Sequence, residues 1–258
     1  MNKLDINKEG TPLRKQQLRL LEILKYFDSI CKKNDIKYWL SSGTLLGAVR
    51  HGGFIPWDDD LDVEMMRKDY LKFIKVMKND YTYELQTPKT DPFFIPNFAK
   101  LRDKHTKIEE FDVDVNYKYR GLFIDVFQLE KGNSILMMLN RKLMWNISFI
   151  GKKARTKFKR SLFLFIKYIF YIIICVSRAI TYILPNNKLR HVYGGIGMPA
   201  MFRDEKKIFP LTNVKFEDAS FPAPKDVDFY LKTIYGDYMK LPDNISMEGH
   251  GIKIEYLD

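Results

Sequence analysis

The sequence predicts an α+β fold, a mixed sheet flanked by helices and interrupted by a basic, hydrophobic helical insert. Three observations carry this. Short period-two or apolar segments alternate with stretches of helical periodicity along most of the chain. Residues 121–129 are nearly continuous apolar except for Asp125, which suits a buried central strand. From Lys131 to Arg203 there are 14 Lys and Arg and no Asp or Glu, and this stretch reads as helices. Subtracting those 14 charges from the net +11 leaves −3 for everything else, so one segment carries the whole excess. With 258 residues, 46% of them hydrophobic, the chain can bury one elaborated core and is too apolar for disorder. The expected division is a core with an N-terminal helix over 1–130, the insert over 131–203, and a hairpin and helix completing the core over 204–258.

Thr11-Pro12 is an N-cap followed by proline in the first turn, and Leu18, Leu21, Leu24, Phe27 and Ile30 recur at helical spacing. An amphipathic helix is expected there. Ile36, Tyr38 and Leu40 alternate with Lys37, Trp39 and Ser41, predicting a strand that runs into the turn Ser42-Gly43-Thr44 and a short helix over 45–49. Gly52-Gly53 and Pro56 break the chain; a strand over 58–65 and a helix over 67–78 follow. Further strands are expected at 83–87, 98–103 and 121–129, a hairpin around 215–221 and a helix over 226–235. The first ten residues lack the apolar run of a secretory signal, and Cys31 and Cys175 are the only cysteines, so a reducing, cytoplasmic compartment is expected.

The chemistry concentrates in Asp58-Asp59-Asp60-Leu61-Asp62-Val63. On a strand, Asp58, Asp60 and Asp62 project from one face and Leu61 and Val63 from the other. Carboxylates so close repel, so the face calls for a hard cation, Mg²⁺ or Mn²⁺, or for one protonated acid. A solvated acidic turn is the competing reading of this hexapeptide alone. Upstream, Gly43 and Thr44 lie where a strand gives way to a helix, an arrangement that presents N–H groups and a hydroxyl to a phosphate. Glycine and a small hydroxyl residue followed by Asp, apolar, Asp, apolar reproduce the pattern of the nucleotidyltransferase fold. Its third acid comes from a later strand; Asp125, set among Phe123, Ile124, Val126 and Phe127, is the candidate, with a purely structural aspartate as the alternative. Lys100 and Arg102 share one face of their strand and are candidates to clamp donor phosphates, against the alternative of an exposed strand face. Arg50 ranks above His51 as a donor contact from the glycine-rich loop. His105, His191 and His250 have no partner spacing for a metal or a triad.

The run from Ser42 to Asp62, SGTLLGAVRHGGFIPWDDDLD, closely resembles the signature of the LicD family of phosphocholine and related phosphoryl transferases, whose core pattern fukutin-related proteins share. Similar patterns extend over Phe98 to Arg102 with Thr106, over Gly121 to Phe127, and over Pro224 to Asp226 through Tyr235-Gly236-Asp237-Tyr238. Between Lys131 and Arg203 no motif matches. The resemblance implies a nucleotidyltransferase-like fold, a divalent metal, and transfer of a phosphorylated alcohol, typically phosphocholine from CDP-choline, onto a cell-surface glycan such as lipopolysaccharide, teichoic acid or capsule, or onto a lipid-linked precursor. It implies that Asp60 and Asp62 hold the metal against the donor diphosphate and that Asp125 completes the set, with Asp58 as a further ligand or a supporting acid. The alternative is a nucleotidyltransferase proper, releasing pyrophosphate.

The insert suggests a membrane surface. Six bases from Lys152 to Arg160 precede the apolar stretch 161–184, as in a helix lying on an anionic leaflet. The stretch is long enough to span a bilayer, but Lys167 and Arg178 would each cost roughly 2.5–3.5 kcal/mol near its centre. Peripheral contact with the inner membrane face is therefore expected. The competing reading is a helical subdomain whose basic face holds a phosphorylated acceptor. A nucleic-acid-binding module would also use the bases but leaves the apolar stretch without a role, so no nucleic acid is expected.

Overall fold

The computed structural model describes residues 6–109, 117–154, 156–183, 188–191, 202–241 and 253–257. Within the insert, Arg155, Leu184 and residues 192–201 lie outside this set, as does His250. In chain order the elements are α1 (Pro12–Lys33), β1 (Trp39–Leu40), α2 (Ser42–His51), β2 (Asp62–Met66), α3 (Arg67–Met77), β3 (Glu84–Gln86), β4 (Ala99–Arg102), β5 (Thr106–Glu109) and β6 (Phe123–Gly132). The insert contributes α4 (Ser134–Lys152), α5 (Lys157–Ile183), β7 (Lys188–His191) and β8 (Phe202–Arg203). The end of the chain adds α6 (Glu205–Ile208), β9 (Thr212–Phe216), β10 (Ala219–Ala223), α7 (Val227–Tyr235) and β11 (Lys253–Tyr256).

The main sheet runs β1-β2-β6-β4-β3, with β7 added on the last residues of β6 and β8 on β7. Only β2 and β6 pair in parallel, so the sheet is mixed, and β6 is its centre as the apolar run predicts. α1 starts where Thr11 Oγ1 accepts the Arg14 N–H at 3.2 Å, and buries Leu20, Leu24 and Phe27 against the sheet core. The same core takes Phe216, Phe221 and Leu231 from the C-terminal elements.

Four predicted strands come out shorter, β3 and β4 by a residue at each end. The segment 36–40 keeps ladder bonds only at Trp39–Leu40, and β2 begins at Asp62 rather than Asp58. Residues 58–61 are held instead by α1: Gln16 Nε2 donates to the Asp59 carbonyl at 2.8 Å, and Gln17 Nε2 to that of Asp58 at 2.9 Å. These buried amides satisfy backbone that a neighbouring strand would otherwise serve.

In the insert, α4 and α5 bury Met144, Ile147, Phe163, Phe170 and Ile174 together with Ile95. Lys167, whose charge counts against a span in the sequence, points into the protein. Its Nζ donates to the carbonyls of Pro88, Pro92 and Phe94 at 3.1, 2.6 and 3.1 Å. Arg178 likewise turns inward, its Nε 2.8 Å from Glu130 Oε1.

Candidate active site

Parallel pairing sets Asp62 directly opposite Asp125, and antiparallel pairing of β4 with β6 sets Lys100 opposite Asp125. Opposed residues project to the same face, so an acid–acid–base row crosses three adjacent strands. Lys100 Nζ lies 3.1 Å from Asp125 Oδ1 and sits over the Phe123 ring. Asp62 is buried, and that burial pushes its carboxyl well above the usual carboxylate range. Asp60, Asp125 and Asp58 push it further in the same direction, while Lys100 opposes them. The four acids named from the sequence therefore share one electrostatic site. Asp59 is buried at 8% exposure.

The turn before α2 approaches these acids closely. A Cβ on Gly43 would stand 2.9 Å from Asp58 Oδ2, so glycine is what lets that carboxylate lie against the first turn of α2, where free N–H groups and the helix dipole favour an anion. The preceding Ser42 takes a positive φ of 46°, a strained conformation for a serine. Thr44 departs from its expected role. It is 3% exposed, and its Oγ1 accepts the Asp62 N–H at 2.7 Å, so the hydroxyl fixes the start of β2 instead of facing a phosphate.

Arg102 also departs. It follows Lys100 on the same side of β4, but it is fully buried, with its guanidinium over Phe123. Its Nε donates to Gln86 Oε1 at 2.6 Å and an Nη to the Gly121 carbonyl at 2.7 Å. It ties three strands together, which leaves Lys100 as the cation of that face beside the acids. Arg50 keeps a site position. It donates to the Tyr238 carbonyl at 3.0 Å and lines a cavity of about 500 Å³ with Gly43, Trp57, Asp58, Tyr235 and Asp237. Burial lowers the Arg50 pKa, with Tyr235 and Asp58 opposing.

Residues 35–172, more than half of the chain, match the LicD/FKTN/FKRP nucleotidyltransferase domain. The chain belongs to the LicD family. A lipopolysaccharide cholinephosphotransferase LicD of Haemophilus influenzae is 31% identical over 272 residues, covering 95% of this chain and 98% of that one. Human ribitol 5-phosphate transferase FKRP is 42% identical over 50 residues, which is 19% of this chain and 10% of that protein. Mannosyltransferase regulator 4 of Saccharomyces cerevisiae is 43% identical over 49 residues, 19% of this chain and 4% of that protein.

Against this LicD frame, three residues at the cavity stand out that the sequence quoted without giving them a role: Trp57, Tyr235 and Tyr238. Tyr235 lines the cavity beside Asp58, and its hydroxyl pKa is raised, first by burial and then by the charges of Asp62, Asp58 and Asp60. Under the row lies a second layer. Glu64 accepts from Arg203 Nη2 at 2.9 Å and from Trp39 Nε1 at 2.9 Å, and Ser41 Oγ lies 2.9 Å from the Tyr230 hydroxyl. Among the described residues no three Asp, Glu, His or Cys side chains are already drawn into a metal cage. The donor chemistry nonetheless fits a hard divalent cation. It consists of carboxylate oxygens alone, and Asp62 is forced toward its neutral form by burial first and then by its three acidic neighbours.

Proposed function

We propose that this LicD-family chain is a transferase that moves a phosphorylated alcohol, phosphocholine or a similar group, from a CDP-linked donor to a cell-surface glycan or its lipid-linked precursor. The observation that carries the reading is the buried Asp62 carboxyl crowded by Asp60, Asp125 and Asp58, the last of which lines a cavity of about 500 Å³. Asp60, Asp62 and Asp125, with Asp58 in support, are the residues to hold Mg²⁺ or Mn²⁺. When bound, such an ion supplies charge neutralisation for the transferred phosphoryl group and the departing nucleotide phosphate. Lys100 holds Asp125 in place, and Asp125 is the carboxylate to take the proton of the attacking hydroxyl. Arg50, at the cavity, supplies fixed positive charge for the donor phosphates, and Gly43 keeps the approach to Asp58 open. Exposed Lys153, Lys157, Lys159 and Arg160 at the junction of α4 and α5 support cytoplasmic residence with peripheral contact at the anionic inner membrane face.

The test is a donor screen: purified protein, Mg²⁺, and a panel of CDP-alcohols including CDP-choline and CDP-ribitol, read by release of CMP. Asp60→Asn, Asp62→Asn and Asp125→Asn should each lower turnover on the order of a thousandfold, the several kcal/mol expected when a charge-neutralising ligand is lost. Pyrophosphate released from a nucleoside triphosphate, with no CMP from any CDP-alcohol, would replace this reading with nucleotidyl transfer.

A further inference from the structure

The outer face of α5 is unusual for a helix packed on a globular core. Phe165, Ile169, Ile172 and Val176, at helical spacing, are 62%, 42%, 47% and 51% exposed, and Trp145 and Phe149 of α4 are 53% and 57% exposed. A patch this continuous marks a surface that something covers. The two charges within 161–183 are turned away from it: Lys167 is bound by the three carbonyls of the 88–94 loop, and Arg178 engages Glu130. The outward face of α5 beyond Arg160 is therefore apolar for most of a helix about 40 Å long.

We infer that this face of the α4–α5 pair inserts in plane into the interfacial layer of an anionic lipid membrane. The Lys167 tie decides against a span, because it holds the middle of α5 against the 88–94 loop, and crossing would carry that loop and its polar backbone into hydrocarbon. Charge decides against a second copy of the chain. No Asp or Glu occurs from 131 to 203, and Lys142, Lys153, Lys157 and Lys159 are exposed on the same two helices, so two copies would oppose like charges that anionic headgroups instead complement. The inference deepens the peripheral contact proposed above by adding apolar insertion to electrostatic attraction, and it does not depend on the reaction catalysed.

The test uses the full chain and vesicles of phosphatidylglycerol and phosphatidylcholine, without donor or acceptor. Lipids brominated on the acyl chain should quench Trp145 fluorescence, and the quenched component should vanish in Trp145→Phe, since Trp39 is fully buried and Trp57 lies at the cavity. Binding should weaken but persist at about 1 M salt, where the screening length falls to about 3 Å. The pair Phe165→Gln and Ile172→Gln should reduce vesicle affinity at least tenfold while far-UV circular dichroism stays unchanged. An unquenched wild type, or binding abolished by salt, would overturn insertion and leave electrostatic contact alone. A wild-type dimer that the glutamine pair converts to monomer, with no vesicle binding, would assign the face to self-association. Because none of these readings uses turnover, failure here is separable from failure of the proposed reaction.

Discussion

Asp62 combines three conditions that rarely coincide: it is buried, it faces other acids, and its backbone is fixed by Thr44. Its folded-state pKa lies above the ordinary carboxylate value, so ionising it opposes folding. The stability it contributes is complete below that ordinary value and is lost as pH rises through the raised one. In cation-free protein, Asp62→Asn should therefore raise the melting temperature at pH 7, by roughly 2–4 °C for each kcal/mol recovered, and give no such gain near pH 3. Mg²⁺ should raise the melting temperature of the wild type more than that of the variant. A variant less stable than wild type at pH 7 without cation would sink this account. Thr44→Val removes the acceptor of a buried N–H and should cost about 1–3 kcal/mol by chemical denaturation. That Asp58, Asp60 and Asp62 crowd one another was legible because their mutual repulsion is a property of a few adjacent residues, although residues 58–61 are not the strand that period-two spacing predicts. The role of Thr44 was not, because its partner is a backbone N–H 18 positions later. Arg102 was misread for the same reason, since only the folded sheet brings Gln86 and the Gly121 carbonyl within its reach.

At the scale of elements, legibility tracked length in part, since β1, β3 and β4, of two to four residues, fall within strands that the sequence predicts. α1, α3, β6 and α7 lie close to where periodicity puts them, whereas β5, β8, β11 and α6, of two to four residues, are too short to carry a period. Close packing between elements is a second property that no local pattern encodes. A Cβ on Gly47 would stand 2.5 Å from the Gly53 carbonyl oxygen and 3.1 Å from the Ile55 nitrogen, both backbone atoms of the loop that α2 packs against. Gly47→Ala must displace that loop and should cost about 1–3 kcal/mol, with turnover falling because the loop leads directly to Asp58. In α5, Lys167→Met leaves three carbonyls, that of Phe94 buried, without their common donor and should cost about 1–3 kcal/mol, seen as faster amide exchange along α5 relative to β6. Equal protection in the variant and the wild type would mean that apolar packing alone holds α5 in place.

At the scale of the whole molecule, segments far apart in sequence close one core and one ion pair. Arg203 ends the stretch whose charge excess marks the insert, yet its side chain is 3% exposed and its guanidinium meets Glu64, which is fully buried on β2 two residues beyond Asp62. Burial works against the Arg203 charge, but Glu64 and Tyr230 outweigh it and raise its pKa. Glu64 also accepts from Trp39, so β1, β2, β8 and α7 meet at this carboxylate. Removing one partner of such a pair strands the other charge. Arg203→Met should thus cost about 3–5 kcal/mol, and Glu64→Gln a comparable amount, because a buried guanidinium or carboxylate without its counterion is the costly state. Replacing both removes that cost twice over, so the double variant should be less destabilised than the sum of the singles by about 1 kcal/mol or more. Turnover should follow the same order. In Arg203→Met the uncompensated Glu64 adds negative charge on the face that already carries Asp60 and Asp62, and divalent-cation affinity should change with it, while the double variant returns toward wild type. The measurement is a double-mutant cycle by chemical denaturation together with CMP release. Strict additivity in stability would mean that the pair is not what joins the end of the insert to β2.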